Sequence, residues 1–133
     1  LVPLSEQALE ILRGMRFFSG LHHYVFPSSR DIDKPIPEPT INIALRRMGY
    51  DTKKDITAHG FRAMARTLLQ EKLNYFPDII ELQLAHTVPD RLGDAYNRTK
   101  YFEERRKMMQ DWADYLDKLK TSVYFSSVQP QQI

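Results

Sequence analysis

Apolar residues recur at three- and four-residue spacing through most of this chain, a period that predicts helices rather than strands. Ser5 precedes a run with Leu9 and Leu12 on one face and Gly14 near its end, which predicts a short helix over roughly residues 6–14. Thr40 to about Met48 reads as a second helix, with Gly49 just past its end. In a third helix, Thr57 serves as N-cap and Phe61, Met64, Ala65 and Leu68 recur at helical spacing. His59, Arg62 and Arg66 fall on its opposite face, forming one stripe if the helix already includes His59. A fourth helix is predicted over about 77–85, with Pro77 in the first turn and Ile79, Ile80, Leu82 and Leu84 following. The last, roughly 99–119, carries Phe102, Met109, Trp112, Leu116 and Leu119 on a continuous face. Tyr24-Val25-Phe26 is a β-type run closed by Pro27, too short for more than an edge strand. Residues 27–39 hold four prolines and read as an extended loop. Residues 121–133, Ser/Gln-rich with Val123-Tyr124-Phe125, read as a tail. The expected fold is mainly α, with at most a small β element near the N-terminus. A parallel α/β sheet would need strands alternating with these helices, and the pattern supplies none.

Composition narrows the class. The 133 residues suit a single domain with a real core, and 42% hydrophobic with 27% charged residues describe an ordinary globular protein. No stretch approaches the ~18 apolar residues that span a bilayer, so no membrane partner is expected. Leu1-Val2-Pro3-Leu4-Ser5 has neither the basic start nor the apolar centre of a signal peptide. Leu1 in place of an initiator methionine reads as a piece of something longer. The absence of cysteine excludes disulfides, thiolate metal sites and thiol nucleophiles, and fits a reducing compartment. The net charge of +2 is unevenly spread. Residues 45–72 carry seven Lys/Arg against three Asp/Glu, residues 91–107 carry six against three, and residues 73–90 carry three acids and no Lys or Arg. Such segments either face phosphates together or are simply solvated helix faces.

Four side chains are candidates for chemistry. His59-x-x-Arg62 puts an imidazole one helical turn from a guanidinium, a pairing suited to a non-bridging phosphate oxygen, although the same spacing also arises on plain polar faces. His86 follows an apolar helix, where a histidine can equally serve the terminal carbonyls. Tyr96 lies ten residues on, with Arg98 two beyond, and a tyrosine there can be packing alone. A metal site built from His22-His23 is disfavoured, because adjacent residues of an extended segment point to opposite faces.

In combination these residues closely resemble the tyrosine recombinase family, in its branch of integrases from temperate phages, prophages and genomic islands. The resemblance is carried by Thr57-Ala58-His59-Gly60-Phe61-Arg62-Ala63, Gln83-Leu84-Ala85-His86 and Ala95-Tyr96-Asn97-Arg98, in that order and spacing. Glu103-Glu104-Arg105-Arg106-Lys107-Met108-Met109-Gln110 and Trp112-Ala113-Asp114-Tyr115-Leu116 are similar to the family's final helix. Val2-Pro3-Leu4-Ser5, Tyr24-Val25-Phe26-Pro27 and Ala44-Leu45-Arg46-Arg47-Met48-Gly49-Tyr50 extend the match to about residues 2–119. It implies a partial catalytic domain over residues 1–120, then a tail at 121–133, and DNA recombination or integration through a covalent 3′-phosphotyrosyl intermediate, with no cofactor or metal. Tyr96 would be the nucleophile, Arg62 would neutralise charge on phosphorus, His59 would take or share the phenol proton and His86 would hydrogen-bond a phosphate oxygen. Arg66 and Arg98 would contact the DNA backbone. Implied partners are double-stranded attachment sites and three further copies in a tetramer on DNA, in the cytoplasm of a bacterial host.

Two family groups lack a match. The upstream arginine and the hairpin lysine that acts as general acid are not recognisable here, and Arg13 and Arg16 stand in the wrong setting. The chain is therefore expected to cleave DNA poorly by itself. Tyr101 competes as nucleophile but lies fifteen residues from His86. The residues leave two other readings open, a non-catalytic helical DNA-binding module and a protein-interaction domain using the aromatic last helix and tail.

Overall fold

A computed structural model of the chain describes residues 1–20, 22–86 and 101–128, with side chains through residue 122. Among these residues five helices follow one another: α1 (Glu6–Ser19), α2 (Thr40–Arg47), α3 (Ala58–Glu71), α4 (Pro77–Gln83) and α5 (Phe102–Val128). The mainly α architecture is as the periodicity predicts. In place of an edge strand at 24–26, the described residues show one antiparallel bridge between Pro27 and Pro35. Ser28 N–H donates to the Lys34 carbonyl at 2.8 Å and Ile36 N–H to that of Phe26 at 2.9 Å. Proline has no N–H, so the pairing has little room to lengthen.

Start signals work as their chemistry requires. Thr57 Oγ1 accepts the Gly60 N–H at 3.0 Å, and Asn42 Oδ1 accepts that of Ala58 at 2.9 Å, so two amides left over at the start of α3 are satisfied. Pro77 opens α4 at its first position, where the missing N–H costs nothing. At the end of α2, Gly49 has φ +96°, while Gly49 N–H donates to Arg46 O (3.0 Å) and Tyr50 N–H to Leu45 O (3.1 Å). This pair of bonds is a Schellman motif.

Two helices outrun their predicted ends. α1 passes through Gly14 and stops at Ser19, before Gly20 at φ +58°; glycine inside a helix costs only ~1 kcal/mol and does not by itself end one. α5 continues to Val128, into the segment read as tail. Thr121 and Ser122 donate their hydroxyls to the Asp117 and Leu119 carbonyls at 2.9 and 2.8 Å, and no glycine or proline intervenes before Pro130.

The chain divides into two compact units, Leu1–Gln7 with Leu69–Ile133, and Ala8–Leu68. In the first, α4 packs on α5 around Leu69, Ile79, Ile80 and Met108, with Ile80 1% and Met108 0% exposed. Leu73, Tyr75, Met109 and Trp112 pack against this cluster. The first seven residues are bound to α5: Glu6 N–H donates to Gln110 Oε1 at 3.0 Å, and Gln7 Nε2 donates to Asp114 Oδ1 and Asp117 Oδ2 at 2.9 and 3.0 Å. In the second unit, Leu45 of α2 is buried. Phe61 and Met64, expected on the core face of α3, remain more than a third exposed, and Phe17 and Phe18 of α1 are 88% and 77% exposed.

Candidate functional site

Because α3 starts at Ala58, it includes His59, and at 100° per residue His59, Arg62 and Arg66 line one stripe. All three are exposed. A stripe of one imidazole and two guanidiniums offers hydrogen-bond donors to phosphate oxygens, with arginine able to bind two of them side by side. This stripe belongs to the unit Ala8–Leu68. Tyr96 and Arg98 lie outside the described residues.

His86 belongs to the other unit, just beyond α4. Leu84 caps that helix, and Ala85 takes the left-handed conformation at φ +57°. Ala85 N–H donates to Leu82 O at 3.2 Å and His86 N–H to Glu81 O at 2.9 Å. α4 therefore ends in a second Schellman motif, with alanine where glycine is the usual occupant. The turn also brings the His86 ring Nδ1 against Glu81 Oε2.

Three features escaped the sequence reading. In the sequence Glu81 is simply one of the three acids of residues 73–90, whereas the motif ending α4 makes it the partner of His86. Arg105, 4% exposed, donates from Nε to Gln83 Oε1 and from Nη2 to the Leu1 carbonyl, each at 3.0 Å. Burial lowers its pKa from the ordinary arginine value. The guanidinium thus ties the end of α4 and the start of the chain to α5. Third, Asp111 Oδ2 accepts from Tyr75 O–H and from Lys107 Nζ, each at 2.5 Å. Burial, then the Asp111 hydrogen bond, raises the Tyr75 pKa; the hydrogen bonds of Lys107 and then Tyr75 lower that of Asp111. Among the described residues no group of three or more His, Asp or Glu is arranged to hold a metal ion, and no helix is long and apolar enough to cross a membrane.

The sequence of this chain is similar to those of phage and prophage integrases. It is 47% identical to the integrase of Enterobacteria phage P4 over 118 residues, 88% of this chain and 27% of that protein. With the prophage integrase IntZ of Escherichia coli K12 it shares 46% over 118 residues, 89% of this chain and 28% of the relative. The integrase of Shigella phage Sf6 is 35% identical over 117 residues, 87% of this chain and 30% of that protein. The chain thus spans less than a third of the length of these relatives. No protein-family profile matches it. No solved structure matches it either.

Proposed function

We propose that this chain, a relative of phage and prophage integrases, is the C-terminal part of the catalytic domain of a tyrosine-type DNA recombinase, residues 1–120, followed by a tail at 121–133. The observation that carries the reading is the exposed His59–Arg62–Arg66 stripe on α3, in a chain that matches integrases over nearly nine-tenths of its length. In this reading the Tyr96 phenol attacks the scissile phosphorus of a double-stranded attachment site. A phenol with pKa near 10 is a weak nucleophile at neutral pH, so His59 takes its proton. Arg62 neutralises the extra charge on the pentacoordinate phosphorus, and His86 hydrogen-bonds one of its oxygens. The bond to the 5′ oxygen breaks, that oxygen takes a proton and leaves as a hydroxyl, and a 3′-phosphotyrosyl bond remains. A hydroxyl from another strand reverses the step, so rejoining needs no nucleotide or other cofactor.

Arg66 and Arg98 contact the phosphate backbone in this scheme. The working form is a homo-tetramer on paired sites in the cytoplasm of a bacterial host. A lysine general acid and a further arginine come from outside these residues, so the chain alone cleaves far more slowly than a longer form carrying them. The decisive experiment incubates that longer form with nicked attachment-site DNA and resolves the products in denaturant. A shifted protein–DNA band that Tyr96→Phe abolishes supports the reading. Undiminished DNA binding with no such band under any condition assigns the chain instead to non-catalytic DNA-binding modules.

A further inference from the structure

Of the candidate groups outside the assigned chemistry, Glu81 is the one whose geometry dictates a chemical state. It is the third residue from the end of α4, and its carbonyl accepts the His86 N–H at 2.9 Å across the closing turn. The same turn sets its carboxylate against ring Nδ1 of His86. The carboxylate side chain is largely covered, at 20% exposure, while the histidine ring is half exposed at 52%. An ionised carboxylate accepts hydrogen bonds and donates none, so the proton of the bond resides on Nδ1. Nε2 is then the nitrogen left for a ligand.

We propose that Glu81 is the positioning residue of His86, holding the ring with Nδ1 protonated and reserving Nε2 for phosphate. The proposal rests on the recombinase reading above and adds a constraint to it. With Nδ1–H committed to Glu81, Nε2 of a neutral ring can only accept. Donating to a phosphate oxygen requires a second ring proton, so His86 grips phosphate as an imidazolium, with Glu81 as its counter-charge. A histidine on a flexible tether would carry no such restriction. Here the backbone and side-chain bonds of one turn impose it together.

The direct test reads the ring nitrogens. The full chain, labelled with 15N on its four histidine rings, is observed by long-range 1H–15N correlation in alkaline buffer, where imidazoles are neutral. His86, assigned by its disappearance in His86→Gln, is expected to show a protonated Nδ1 and a bare Nε2. Glu81→Gln, which keeps the shape, supplies an amide that can donate as well as accept. It should shift the signals toward the Nε2–H form, and Glu81→Ala should do the same. A wild-type ring already protonated on Nε2, or signals that neither variant moves, would overturn the proposal. In the longer enzyme, Glu81→Gln should slow covalent adduct formation by about tenfold or more while leaving DNA affinity within about twofold. An adduct rate unchanged by Glu81→Gln refutes the positioning role. Failure of the unsubstituted enzyme to form any adduct instead sinks the recombinase reading and leaves the ring assignment to stand on its spectrum.

Discussion

Asp111 shows how much of this molecule is decided by single side chains. Its carboxylate receives Lys107 Nζ and Tyr75 O–H at 2.5 Å each, and those bonds, lysine first, depress its pKa below the ordinary aspartate range. A carboxyl whose folded pKa lies below its unfolded value adds stability above about pH 4, and that gain disappears as pH falls through the depressed value. Asp111→Asn is therefore expected to unfold more readily than the parent at neutral pH, the gap closing as the solution is acidified below about pH 4. Urea titrations across that range check it, and a gap that persists unchanged in acid would show that the carboxylate charge is irrelevant. At this scale the sequence was least legible. Lys107 and Asp111 are an ordinary one-turn pair, but Tyr75 reaches Asp111 from 36 positions away. The bond from Arg105 to the Leu1 carbonyl spans 104. No local period encodes either, and a buried arginine held by neutral oxygens departs from what its charge suggests.

Helix boundaries were legible where they depend on a few adjacent residues whose chemistry is visible: Thr57 accepting from Gly60 and Pro77 at a position needing no N–H at two starts, and Gly49 just past the end of α2. Ends were read less well where Gly14 and the polar run after Leu119 looked like stops. Neither residue type forbids helix, and each costs at most ~1 kcal/mol. The choice of core positions shows the same limit. Met109 and Trp112 do pack on the core, yet Met108 is the residue fully enclosed and Leu116 and Leu119 stay partly exposed. An apolar stripe states which side is greasy, and tertiary contact decides where along it burial stops. The end of α4 gives a sharper case, since alanine holds a conformation there that glycine adopts freely. A left-handed L-residue costs roughly 1–2 kcal/mol, and the extra freedom glycine brings to the unfolded chain returns about 0.4–1. Ala85→Gly should thus stabilise the protein by about 0.5–1 kcal/mol, seen as a higher urea midpoint at unchanged slope. A lower midpoint would mean that the methyl group of Ala85 matters more than its backbone angle.

Across the whole molecule, the contacts gather into two compact units that interleave along the chain. A division of that kind is invisible to a linear reading, because residues 1–7 join 69–133 through bonds such as Gln7 to Asp114. The order of His59, Arg62 and His86 was legible, as was the stripe on α3, since both follow from sequence position and helical period. Tyr96 and Arg98 fall outside the described residues and enter through the proposed function. That proposal separates two arginines that share a face. Arg62 would act on the phosphorus being cleaved, whereas Arg66, one turn further along α3, would hold a neighbouring backbone phosphate. Each phosphate contact releases condensed counterions, so its removal flattens the dependence of affinity on salt. In the longer DNA-binding form, Arg66→Ala should lower the slope of log K against log salt by about 1, uniformly across DNA sequences, while bound complexes still form covalent adduct. Arg62→Ala should instead abolish the adduct even where binding is saturated. Titrations at several salt concentrations, paired with denaturing gels, separate the two effects. An Arg66→Ala protein with an unaltered salt slope would remove this residue from the DNA interface and confine the contact to the first two turns of α3.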